Sequence, residues 1–155
     1  MVMRLSEDAR RLLLAAATEE ARRRGDRRLG TDHLLLGLLH EGSGEAASAL
    51  GVDLASARAA QDALDRAALA AVGIHVGDLG PIEHAPGARR HLPLTSGARA
   101  VFKRAVEQVR PRKRGRIATR HFLLALLACQ RPDPAAELLH ELGLDPAVVR
   151  ERLTG

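Results

Sequence analysis

The run Leu34-Leu35-Leu36-Gly37-Leu38-Leu39 is apolar on nearly every side of a helix, so a helix capped by Thr31 belongs in the interior. Before it, Ser6 is placed to cap a helix that carries Leu12, Leu13, Ala16 and Glu20 and ends near Arg24, with Gly25 as its stop. Glu7 and Asp8 in its first turn, and Arg22 to Arg24 in its last, suit the helix dipole. Glu41-Gly42-Ser43-Gly44 breaks the chain. A short helix over Glu45 to Leu50 follows, then one capped by Asp53 that reaches Ala71. From Val72 to Pro93 the pattern is lost, and Gly73, Gly77, Gly80, Pro81, Pro86, Gly87 and Pro93 make this stretch a connector. Thr95 then caps a helix to Val109, and Thr119 caps an apolar helix to Cys129. Pro132-Asp133-Pro134 opens a helix to Leu142, and Asp145-Pro146 begins the last one.

The two halves repeat. Thr31-Asp32-His33-Leu34-Leu35-Leu36-Gly37-Leu38-Leu39 returns as Thr119-Arg120-His121-Phe122-Leu123-Leu124-Ala125-Leu126-Leu127. Ser6, Ala9, Arg10 and Leu12 return as Thr95, Ala98, Arg99 and Val101. Repetition at this period predicts two copies of one helical unit packed together. The expected fold is all-α: two pseudo-symmetric four-helix repeats in one bundle, with repeat one at about 4–71, a linker at about 72–93 and repeat two at about 94–153. The chemical difference between the copies is Asp32 in the first against Arg120 in the second.

Composition supports helices. The chain is 155 residues long and 46% hydrophobic, with two Phe and neither Trp nor Tyr. Ala, Leu, Arg and Glu favour helix, whereas strands draw on β-branched and aromatic residues. The single Cys129 has no intrachain partner and reads as a small buried hydrophobe. Apolar runs such as Phe122 to Cys129 fall far short of the ~20 residues that cross a bilayer. Charges at Glu7, Asp8, Arg10 and Arg11 come too early for a secretory signal, so the expected location is cytoplasmic. The net charge of +5 favours acidic partners without naming one.

Strong catalytic motifs are missing. Neither Lys103 nor Lys113 follows a glycine, so there is no phosphate-cradling P-loop. His40-Glu41 and His140-Glu141 lack the second His of a zincin, and no Cys-x-x-Cys or Gly-x-Ser-x-Gly occurs. The reading is a non-enzyme with no cofactor. His33 and His121 recur near helix starts, where an imidazole can bond loop backbone. Without further Cys or His ligands beside them, a metal role is disfavoured. The basic runs Arg22-Arg23-Arg24…Arg27-Arg28 and Arg110-Pro111-Arg112-Lys113-Arg114-Gly115-Arg116 read first as solvated surface. A nucleic-acid role is the alternative, weakened by the lack of Tyr and Trp stacking platforms.

Arg4-Leu5-Ser6-Glu7-Asp8-Ala9-Arg10, Glu19-Glu20-Ala21, Leu29-Gly30-Thr31-Asp32-His33-Leu34-Leu35-Leu36-Gly37-Leu38 and Glu41-Gly42-Ser43-Gly44-Glu45-Ala46-Ala47 resemble the first repeat of the Clp N-terminal domain. That is the double four-helix module at the front of Clp-family AAA+ unfoldases such as ClpC. Leu92-Pro93-Leu94-Thr95-Ser96-Gly97-Ala98-Arg99 resembles the start of the second repeat. The resemblance implies a module that docks substrates and adaptors. The chain ends at Gly155 directly after the second repeat, so it is expected to be either a stand-alone protein without AAA+ modules or a piece of a larger one, and the divergence of the second half favours the stand-alone reading.

In ClpC-like members each repeat carries a phosphoarginine site, with a carboxylate of a Gly-Thr-Glu-His motif for the guanidinium and a helix N-terminus for the phosphate. The resemblance therefore implies one site at Ser6 and Asp32, whose Asp is one methylene shorter than the family's Glu. It implies a second at Thr95 and Arg120, where Arg120 repels a guanidinium. The family also has a hydrophobic groove that binds cyclic peptide antibiotics, and its matching positions are Val2, Leu94, Arg99 and Phe102. The leading expectation is a module that binds peptides, modified protein segments or cyclic peptide antibiotics. It would serve as an accessory, regulator or decoy beside ClpC–ClpP machinery or its adaptors, with no membrane partner. A nucleic-acid-associated protein is the alternative, and a structural remnant or oligomerisation domain is a third reading.

Overall fold

The computed structural model describes the backbone of residues 2–75, 92–109 and 118–154, and the side chains of 9–75, 92–108 and 118–154. Eight helices run through them: α1 (Val2–Arg24), α2 (Thr31–Leu38), α3 (Glu45–Leu50), α4 (Leu54–Ala71), α5 (Ser96–Val109), α6 (Thr119–Leu127), α7 (Pro134–Glu141) and α8 (Pro146–Thr154). No strand forms among the described residues, and an isolated parallel bridge joins Leu29 to Leu94. The fold is all-α, as its composition requires. Most of the linker, residues 76–91, lies outside the described residues, as does the basic run Arg110 to Arg116.

The two apolar helices form the centre. In α2 every residue but Asp32 is buried, and α6 buries Phe122, Leu123, Ala125, Leu126 and Leu127. Each buried Leu or Phe contributes roughly 1.5–3 kcal/mol by leaving water. The halves interleave: α2 and α4 pack on α7, while α3 packs on α6 and α8. One continuous core results, running from Leu13 in α1 to Leu153 in α8. Gly37 lets α1 and α2 approach closely, since a methyl group there would lie 3.0 Å from the Ala17 backbone nitrogen.

Asp53 caps α4 by accepting from Ser56 N at 2.7 Å, Thr95 caps α5 by accepting from Ala98 N at 3.1 Å, and Asp145 Oδ1 accepts from Ala147 N at 3.0 Å. Three expectations need correction. Helix α1 already begins at Val2, so Ser6 lies inside it and is not its cap, and Glu7 and Asp8 fall beyond the first turn. Residues 2–5 contain no Gly or Pro to stop the helix earlier. The N-cap positions of α2 and α6 are Gly30 and Ala118, one residue before Thr31 and Thr119.

Candidate docking site

The shift of the α2 cap by one residue sets the chemistry at its start. Gly30 has no side chain to offer, so His33 completes the cap: its Nδ1 accepts the Gly30 N–H at 2.9 Å. His121 does the same for Ala118 N, also at 2.9 Å. An Nδ1 that accepts leaves the proton on Nε2, and His33 Nε2 donates to Asp26 Oδ2 at 2.7 Å. Both histidines are backbone anchors, and no cluster of three or more metal-ligating side chains occurs among the described residues.

Freed from capping, Thr31 reaches across the repeats. Its hydroxyl donates to Asp133 Oδ1 at 2.6 Å and accepts from Ala135 N at 3.0 Å, and Asp133 Oδ1 also accepts from Ala135 N. The loops before α2 and α5 are stitched together as well: Leu29 N donates to Pro93 O at 2.9 Å, and Thr95 N donates to Leu29 O at 3.0 Å. Two helix N-termini from different repeats therefore meet at one seam.

Asp32 sits on that seam. A methyl group built on Gly30 would lie 2.9 Å from Asp32 Oδ1 and 3.8 Å from Thr95 Cγ2, so the carboxylate and the α5 cap flank the same point. Asp32 of repeat one therefore lies on the same seam as Thr95 of repeat two. The Ser6 side chain lies outside the described residues. Asp32 Oδ2 accepts from Gln61 Nε2 at 3.0 Å, a partner on α4 that no repeat motif marks.

Arg120 is elsewhere. Its Nη2 donates to Leu153 O at 2.8 Å and lies 3.0 Å from Glu45 Oε1, so it joins α6 to α8 and α3 instead of facing Thr95. The α5 N-terminus already faces an anion: a methyl on Gly97 would lie 3.0 Å from Asp133 Oδ2. Asp133 is the N-cap of α7, and the corresponding N-cap of α3 is Gly44, so this carboxylate belongs to the second repeat alone.

Of the expected groove positions, Leu94 is half-buried just before α5, Arg99 is exposed on it, and Phe102 is 8% exposed three residues further along. Phe102 meets Phe122 edge-on with ring centroids 5.2 Å apart. The Arg10 guanidinium lies 5.3 Å from the Phe102 centroid and brings α1 to the same place. Sequence reasoning missed Arg10 in this role, and the side chain of Val2 lies outside the described residues.

Within the first basic run Arg23, Arg27 and Arg28 are exposed, whereas Arg24 is tied down. The Arg24 side chain is 8% exposed, 3.0 Å from Asp26 Oδ2 and 2.7 Å from Asp65 Oδ2. Glu20, fully buried, accepts from Arg58 at 2.9 and 2.6 Å and meets His40 Nε2 at 2.9 Å. Burial penalises the Glu20 charge, yet the Arg58 and His40 hydrogen bonds outweigh it and hold its pKa below the ordinary carboxylate value. Asp26 is likewise lowered, by His33 and Arg24 against its own desolvation. Burial pushes the half-buried Cys129 thiol up to about 11, which suits a packing residue.

The sequence profile of the Clp repeat (R) N-terminal domain matches residues 4–142. The chain belongs to the Clp N-terminal repeat family. It is 31% identical over 156 aligned positions to the chloroplastic chaperone protein ClpC1 of Arabidopsis thaliana, spanning 99% of this chain and 15% of that protein. The identity is also 31% to the chloroplastic ClpA homolog of Brassica napus, an ATP-binding subunit of the ATP-dependent Clp protease, with 16% of that protein spanned. The Clp-N fold itself is shared with the N-terminal domain of ClpD from Arabidopsis thaliana, at TM-score 0.66 and 21% identity over 92% of this chain and 88% of that one. The Hsp104 N-terminal domain from Candida albicans superposes at TM-score 0.57 and 19% identity, covering 94% and 87%. No helix among the described residues is long and apolar enough to cross a membrane.

Proposed function

We propose that this Clp-N chain is a non-enzymatic docking module that captures peptides or modified protein segments, as an accessory, regulator or decoy of Clp-type machinery. The observation that carries the reading is the convergence of Asp32 and the Thr95-capped N-terminus of α5 at one seam. A carboxylate beside a helix N-terminus suits a ligand with a cationic and an anionic end, such as phosphoarginine. Arg120, engaged with Glu45 and the end of α8, offers no second carboxylate, so the stoichiometry is at most one phosphoarginine per chain. Leu94, Arg99 and Phe102 are the second candidate surface, for peptide-like antibiotics that target ClpC, and the Val2 side chain expected with them lies outside the described residues.

Calorimetric titration of the purified protein with a phosphoarginine peptide and with ClpC-targeting cyclic peptides tests this reading. One-site binding lost in Asp32→Ala, or cyclic-peptide binding lost in Phe102→Ala, supports it. Absence of any peptide binding, together with salt-dependent DNA binding, would favour the nucleic-acid alternative instead.

A further inference from the structure

His33 uses both ring nitrogens, and the two uses demand one tautomer. Nδ1 accepts the Gly30 N–H at 2.9 Å, and Nε2 donates to Asp26 Oδ2 at 2.7 Å. Asp26 Oδ2 also accepts from Arg24 Nε at 3.0 Å. Burial works against the Asp26 charge, yet the His33 and Arg24 bonds outweigh it and keep the carboxylate ionised. A third group stands beside the ring. Asp32 Oδ1 lies 3.5 Å from Nδ1, which in this tautomer has no proton to give it. The other Asp32 oxygen, Oδ2, already accepts from Gln61 Nε2 at 3.0 Å. Among the described residues, Oδ1 is therefore the Asp32 oxygen left open to a cation.

A second proton on this ring changes what Nδ1 can do. An imidazolium carries a donor on each nitrogen, so Nδ1 can no longer accept the Gly30 N–H. Carboxylates gather around the ring. Asp26 and Asp32 face it directly, Asp62 and Asp65 of α4 lie 3.6 and 2.7 Å from Arg24, and Asp133 of α7 stands across the seam beside Gly97. Against the proton stand the loss of the Gly30 bond and the cost of charging a side chain that is 5% exposed. The second repeat keeps the cap without the neighbouring carboxylate. His121 Nδ1 accepts from Ala118 N at 2.9 Å, but position 120 is an arginine, which has no acceptor to offer.

We propose that His33 is a proton switch on the seam: when the ring takes up a second proton, Nδ1 releases the Gly30 N–H and donates to Asp32 Oδ1 instead. The proton comes from solvent and returns to it, so the step is reversible. Asp26 accepts from Nε2 in both states and holds the ring in place while Nδ1 changes partner. The ion pair satisfies the oxygen of Asp32 that was open, so protonation closes the carboxylate and deprotonation frees it. At the same time the Gly30 N–H loses its acceptor, which loosens the cap of α2 beside the Leu29 and Thr95 backbone bonds. The switch regulates docking only if a ligand uses Asp32, and in that respect the inference rests on the docking reading. Ligand and proton then compete for one oxygen, and each weakens the other.

The test is an NMR titration of the whole free chain from about pH 8 to about pH 5, the range in which imidazoles change charge. It reads the ring nitrogens of His33 and His121, the Gly30 amide and the Asp32 carboxyl carbon. The expected result is that the Gly30 amide and the Asp32 carboxyl shift with the same midpoint as the His33 ring. Asp32→Asn removes the charge that receives the imidazolium, so it should move the His33 midpoint to lower pH and leave that of His121 in place. A Gly30 amide that ignores the His33 titration, a ring that stays neutral until the chain unfolds, or an unchanged His33 midpoint in Asp32→Asn would overturn the proposal. Saturating phosphoarginine peptide should also move the His33 midpoint to lower pH, because ligand and proton compete. Peptide that binds without moving the midpoint would count against the switch. Failure of the peptide to bind at all would sink the docking reading, and the titration of the free chain would still decide the switch.

Discussion

The Thr31 hydroxyl donates to Asp133 Oδ1 across 2.6 Å, and this bond ties the start of α2 in one repeat to the cap of α7 in the other. Thr31 is 1% exposed, so the bond is made out of water and fixes the seam on which Asp32 stands. Thr31→Val keeps the shape but removes the hydroxyl. It should lower stability by about 1–3 kcal/mol, the usual cost of a lost buried partner. Urea unfolding of the two proteins measures this, and an unchanged midpoint would show that the seam holds without the bond.

Asp133 also places a carboxylate beside the α5 N-terminus, where a ligand's phosphate would have to settle. Asp133→Asn keeps the Oδ1 acceptor for Thr31 and Ala135 while removing the charge. The substitution should tighten binding of a phosphoryl ligand by up to about tenfold, since a charge at a helix N-terminus is worth ~0.3–1 kcal/mol and direct repulsion adds to it. Calorimetry on both proteins would read the change, and weaker binding by the Asn variant would contradict it.

Among the described residues, Glu20 is the carboxylate that is fully buried, and its pKa is lowered in the native state. Its stabilisation is therefore fully present above the ordinary carboxylate pKa that it has in the unfolded chain, and is lost as pH falls through the lower native value. Glu20→Gln should cost about 2 kcal/mol at neutral pH, and the acid limb of its stability profile should be flatter than in the wild type. Thermal unfolding from pH 7 down to pH 3 checks both, and parallel profiles would refute the assignment.

Gly37 tests the packing of α1 on α2. The second repeat carries Ala125 at the matching position, yet at Gly37 a methyl would lie 3.0 Å from Ala17 N and 3.1 Å from Leu13 Cδ1. The gain in helix propensity is about 1 kcal/mol, while overpacking against a backbone atom costs roughly 1–3 kcal/mol. Gly37→Ala should be net destabilising in a thermal melt, whereas a higher melting temperature would mean that the helices can separate freely.

Helix order and the two buried helices were legible because a repeat states them twice, and Gly or Pro punctuates most junctions. The start of α1 was not, since Ser6 serves a helix interior as readily as a cap when no breaker precedes it. At the candidate site the repeat marks Asp32, Thr95 and Arg120, and the Ser6 side chain expected beside Asp32 lies outside the described residues. Interleaving is a tertiary property, and only packing brings Asp32 to Thr95 and sends Arg120 to Glu45. Asp133 was readable in principle as the charged counterpart of Gly44. Gln61 was not, because nothing in an Ala-rich helix distinguishes a buried amide from a solvated one.

The central claim is that the docking site spans the repeats, with Asp32 and Thr95 on one ligand. A double-mutant cycle on phosphoarginine-peptide affinity tests it most directly, using Asp32→Ala with Thr95→Ala and, separately, with Ser6→Ala. The account predicts a coupling of about 1 kcal/mol or more for Asp32 with Thr95 and additivity for Asp32 with Ser6. Coupling to Ser6 with additivity at Thr95 would contradict it.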